Sequence, residues 1–152
     1  MSYTEQLQGI VQRYREAHQP WPASARDIGA WAIENGLWAP QQSFVLKQCA
    51  HELAQAMREE YITDPQGRSV RAKHAVITQR GGEQIALWAD IHTATKEHLE
   101  IAFQQRRQHI LGECRQLKTD VDSYNQNLNP GEPIQMVFDF TLDLEELEVL
   151  AR

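Results

Sequence analysis

Apolar residues first recur at helical spacing. Leu7, Ile10, Val11 and Tyr14 predict an amphipathic helix over residues 4–18, which the Pro20-Trp21-Pro22 breaker closes. Ser24-Ala25-Arg26-Asp27 reads as a capping box with Asp in place of the usual Glu. Ile28, Trp31 and Ala32 follow on one face, and Gly36 supplies a C-terminal stop. A third helix starts near Gln42 or Ser43 and runs to about Glu60. Its stripe of Leu46, Cys49, Ala50, Leu53 and Met57 is expected to enter the core, with Cys49 as a small core residue.

Beyond Glu60 the period shortens to two. Tyr61-Ile62-Thr63 is a short β-like run, Asp64-Pro65-Gln66-Gly67 a turn, and Ser69 to Gln79 alternates up to Gly81-Gly82, a two-residue hairpin turn leading into Glu83 to Trp88. Counting outward from that turn sets Arg80 opposite Glu83, Thr78 opposite Ile85, Val76 opposite Leu87 and Lys73 opposite Asp90. One face then carries Val76, Thr78, Ile85 and Leu87 for packing on helices, and two opposite-charge pairs cross the strands. From Asp90 to Asn125 helix formers dominate, interrupted only by Gly112, which predicts one long helix or two with a bend. Phe103, Ile110, Cys114, Leu117, Val121 and Tyr124 form a coiled-coil-like seam along it, a candidate surface for a homodimer. Asn127 to Gly131 ends the helix, Ile134 to Phe140 alternates like a strand, and Asp143 to Glu148 is acidic. The fold expected is mainly α with a small β-hairpin (α+β), divided into residues 1–89, a long helix over 90–126 and an acidic tail with a short strand over 127–152.

Charge sharpens that division. The net charge is -6, yet residues 1–119 carry fourteen Lys/Arg against thirteen Asp/Glu, whereas residues 120–152 carry one Arg against eight acids. The acidity belongs to the tail, and the rest has room for a basic face. Cys49 and Cys114 lie far apart without metal-ligand spacing, and no run is long and apolar enough for a leader or a membrane span. A reducing cytoplasm is the expected location, with no membrane partner.

No catalytic constellation emerges. His51-Glu52-Leu53-Ala54-Gln55 follows the zinc-protease helix pattern until Gln stands where the second histidine must be, and no two of the six histidines are three or four residues apart. Asp120-Val121-Asp122-Ser123-Tyr124-Asn125 departs from a calcium loop at its fifth, sixth and twelfth positions, and Gly81-Gly82 lacks the companions of a phosphate loop. A non-enzymatic protein without cofactor or metal is expected. The four tryptophans read as core, and Arg106-Arg107 with Gln104, Gln105 and Gln108 as a solvated polar collar on the long helix.

The segments SARDIGAWAIENG, QSFVLKQCAHELAQAMREEY and GRSVRAKHAVITQRGGEQIALW stand in the order of a winged helix-turn-helix, and residues 4–89 resemble that superfamily. The whole chain is also similar to a group of bacterial proteins. The superfamily resemblance implies DNA binding. Gln42, Ser43, Lys47, Gln48, His51 and Gln55 would form the exposed face of a helix reading the major groove, and Arg68, Arg71, Lys73 and Arg80 a basic wing against double-stranded DNA. Glu52, Glu59 and Glu60 on the same helix suit protein contact instead, so the alternative is an adaptor using this surface and the tail. Gln135-Met136-Val137-Phe138-Asp139-Phe140 resembles the short peptide by which bacterial proteins dock on the sliding clamp, which implies a protein partner for the tail; a plain edge strand is the other reading.

Overall fold

Ser2 opens the chain with a reciprocal capping box. Its Oγ accepts from the Glu5 N–H at 3.1 Å, and its own N–H donates to the Glu5 carboxylate at 2.8 Å, which starts helix α1 (Tyr3–Glu16). The computed structural model describes residues 1–151; Arg152, at the end of the expected tail, lies outside the described residues. The chain divides into two compact units, Met1–Gln55 and Ala56–Arg152.

In the first unit α1 packs against α2 (Ala25–Glu34). Ser24 caps α2 as its sequence predicts, with Oγ accepting from the Asp27 N–H at 3.0 Å. The helix stops where Gly36 takes φ +68°. The Gly36 N–H then reaches the Ile33 carbonyl at 3.1 Å and the Leu37 N–H reaches Ala32 at 2.9 Å, a pairing of the last carbonyls that needs a left-handed residue. Tyr14 is buried between the two helices, its ring edge-on to Trp31 at 5.5 Å and its hydroxyl donating to the Pro20 carbonyl at 2.8 Å. A short 3-10 turn, Gln42–Phe44, leads into α3 (Val45–Arg58).

The apolar stripe of α3 is not core. Leu46 is 80% and Leu53 58% exposed, and Cys49 is exposed as well. Helical spacing determines which side of a helix is apolar; it does not supply a neighbour, and α1 and α2 already cover one another.

The second unit is built on two antiparallel hairpins. β1 (Tyr61–Thr63) pairs with β2 (Ser69–Arg71) across a turn that Asp64 organises, its carboxylate accepting from the N–H groups of Gln66 at 3.1 Å and Arg68 at 2.7 Å. β3 (Lys73–Arg80) pairs with β4 (Glu83–Asp90) in the register read from the Gly81-Gly82 turn: Arg80 with Glu83, Thr78 with Ile85, Val76 with Leu87, Lys73 with Asp90. Buried Ala72 joins the hairpins, its N–H donating to Glu60 and its carbonyl accepting from Ile91. The alternating run from Ser69 to Gln79 is therefore two strands with different partners.

α4 (Lys96–Asn127) begins at the Thr95 cap and passes Gly112 without interruption. It is the helix that packs against β3. The Gln105 side chain accepts from the Ile77 N–H at 2.7 Å and donates to the Ile77 carbonyl at 2.9 Å, so one amide takes the place of a neighbouring strand along the outer edge of β3. Asn125 repeats the arrangement on the tail, accepting from the Ile134 N–H at 2.9 Å and donating to the Ile134 carbonyl at 2.8 Å. Phe138 lies beside Leu111, Cys114 and Arg115, so the tail doubles back along α4.

Residues 134–140 form no strand, contrary to their alternation. The backbone of Ile134 is satisfied by a side chain and Phe138 by a helix surface, and neither asks for a ladder. The acidic end forms helix α5 (Thr141–Leu150), started where Asp139 accepts from both the N–H and the hydroxyl of Thr141. The fold is mixed α+β with a long C-terminal helix. Among the described residues no helix is long and apolar enough to cross a membrane.

Candidate functional site

Antiparallel pairing places Ala75 opposite Trp88 and Ile77 opposite Ala86, giving one face of the second hairpin an apolar middle. On α4, Ala102, Gln105, Arg106, His109 and Ile110 follow at helical spacing and so share a side. The hairpin face and this side of α4 enclose an open cleft of about 710 Å³, to which Arg58, Arg71, Lys73, His74 and Gln84 also contribute. Gln105 sets its width by holding α4 to the β3 edge. None of the lining residues is an acid, although the chain contains 21 Asp and Glu.

The cations of the cleft differ in their commitments. Lys73 is ion-paired with Glu60, which raises its pKa. Arg58 stands over the Trp88 ring, 5.7 Å from its centroid. Arg71 and Arg106 have no ion-pair partner among the described residues. Arg106 is an exposed residue whose pKa is held below the ordinary arginine value, first by desolvation of its guanidinium and then by the positive charge of Arg71. Two guanidinium groups therefore repel one another across a carboxylate-free cleft.

His74 underlies them. It is buried, edge-on to Phe103 at 5.1 Å, and its Nε2 is 2.9 Å from the Arg71 carbonyl. A carbonyl only accepts, so Nε2 carries the proton. His98 Nε2 likewise donates to the His74 carbonyl at 2.9 Å. Burial lowers the His74 pKa most; the charges of Arg106, Arg71 and His98 add to that, and the bond to the Arg71 carbonyl opposes it. A neutral imidazole thus braces the backbone that presents Arg71.

The residues singled out from sequence are distributed unequally. Gln42, Ser43, Lys47, Gln48, His51 and Gln55 belong to the first unit and are all exposed. Lys47 lies over the Phe44 ring at 5.5 Å. Arg68, Arg71, Lys73 and Arg80 belong to the second unit. Of these, Arg68 is tied to Asp64 at 2.7 Å, Lys73 to Glu60, Arg71 enters the cleft, and Arg80 stands exposed at the end of the hairpin. The structure brings Arg71 and Lys73 together with Arg106, which by sequence belongs to a solvated collar, and with His74 and His109, which belong to no sequence motif. The spacing 102, 105, 106, 109, 110 was the available signal. Trp88, read as core, is half-buried at the cleft. Among the described residues no three His, Cys, Asp or Glu side chains gather as metal ligands.

No protein-family model, curated protein or solved structure matches this chain.

Proposed function

We propose that this protein is a small, non-enzymatic DNA-binding or DNA-associated protein of regulatory type, acting in the cytoplasm. The observation that carries the reading is the acid-free cleft lined by both Arg71 and Arg106. A phosphate relieves the repulsion between them. The order of three helices and a hairpin supports kinship with winged helices. On that kinship Gln42, Ser43, Lys47, Gln48, His51 and Gln55 are the candidates for base-edge contact with a duplex. Both cysteines are unpaired, as suits a reducing compartment.

Binding of labelled DNA at two salt concentrations tests the reading. Affinity should fall steeply as salt rises, because each phosphate contact displaces counterions. Absence of binding to any DNA at low salt rejects it. The adaptor alternative draws on uncovered apolar side chains, Leu46 and Leu53 on α3 and Leu142, Leu147 and Leu150 on α5. A protein partner held there would stay bound at high salt.

A further inference from the structure

A duplex shows its phosphates outward and hides the faces of its bases, so it has little use for an apolar floor beneath two arginines. Here the guanidinium groups of Arg71 and Arg106 share a cleft with Ala75, Ile77, Ala86 and Trp88. At about 710 Å³ the space is that of a small-ligand site and is open at one side. A single strand is the form of nucleic acid that presents a phosphate and an unstacked base together, and proteins that hold one combine a basic groove with an aromatic platform.

We propose that this cleft takes one nucleotide unit of a single-stranded nucleic acid, with its phosphate between Arg71 and Arg106 and its base against Trp88. The inference rests on the DNA-associated reading above and specifies the form bound. Gln105 is committed to the β3 edge, its oxygen and one of its N–H groups held by Ile77. Gln84 and His109, also in the lining, are the polar groups left to meet base or sugar. This predicts tolerance of base identity, since stacking and phosphate contact are common to all nucleotides. The base-reading candidates on α3 are not needed for this contact, which α3 borders only through Arg58, its last residue, over the Trp88 ring.

The test uses the full chain with a labelled oligothymidylate, a duplex of equal length and free thymidine monophosphate, followed by anisotropy and competition. The oligothymidylate should bind about tenfold more tightly than the duplex, and Arg106→Ala, Arg71→Ala and Trp88→Leu should each weaken it about tenfold. Arg107→Ala removes the same charge one residue along α4 but outside the cleft, and should stay within about twofold of the parent protein. Thermal unfolding of each variant separates loss of binding from loss of fold, and exposed Arg106 gives the clean comparison if Trp88→Leu unfolds. Duplex binding equal to the single strand, with Arg106→Ala unchanged, overturns the cleft assignment and leaves the DNA reading standing. Failure of both DNA forms at low salt overturns both. Thymidine monophosphate binding as tightly as the oligonucleotide overturns the strand as ligand.

Discussion

His74 joins stability to acidity. In an unfolded chain an imidazole titrates near 6.5, and in the folded protein burial, followed by Arg106, Arg71 and His98, pushes His74 below that. Below about pH 6.5 the unfolded chain therefore binds a proton that the native one resists. The stabilisation is complete above that pH and is lost as the pH falls toward the folded value. Denaturant midpoints measured from about pH 7.5 down to about pH 5.5 should decline, and His74→Gln should flatten the decline. A parent protein with a level profile over that window would show that His74 is not protected. The carboxylates act elsewhere on the scale. Asp64, stabilised chiefly by the Arg68 N–H, and Asp139, stabilised chiefly by the Thr141 hydroxyl, have lowered pKa values, so their contribution disappears only below the ordinary carboxylate range.

At the scale of elements, α4 organises its unit through two side-chain amides. Gln105→Ala removes both hydrogen bonds to Ile77 and should cost about 1 to 2 kcal/mol in chemical denaturation, less than two buried bonds because water can reach this half-open edge. Gln104→Ala, one residue away and exposed, should remain within about 0.5 kcal/mol of the parent. These contacts also explain what the sequence could and could not disclose. The hairpin register was readable because Gly81 and Gly82 both take positive φ and so fix where counting begins. The caps at Ser24 and Gly36 were readable because they are local. The strand expected over Ile134 to Phe140 was not, because alternation reports an extended segment with two unlike sides and Asn125 supplies the partner that a ladder would have given. Likewise the stripe on α3 revealed amphipathicity without a neighbour. The cleft was half legible: the cations of the hairpin stood out as a run, whereas Arg106 joins them only through a packing of α4 on β3 that no local pattern encodes.

For the molecule as a whole, α4 retains a half-exposed line of large apolar residues. Phe103, Ile110, Leu117 and Tyr124 recur every seven residues and are 47%, 54%, 44% and 40% exposed. Cys114 and Val121, from the same seam, are half-buried, with the tail Phe138 beside Cys114. A seven-residue repeat of this kind suits the same helix of a second copy. Sedimentation should then give a dimer, and Leu117→Glu a monomer, since a carboxylate buried without a partner is costly. A monomeric parent protein would reject that use of the seam. The tail also determines how the protein should age. Asn125 grips Ile134 with a donor that exists only while its amide is intact, and side-chain amides are among the thermolabile groups of proteins. Deamidation would set a carboxylate oxygen against the Ile134 carbonyl, two acceptors face to face. Stored protein should accordingly release its tail, and become more easily cut by proteases near Ile134, before any helix is lost.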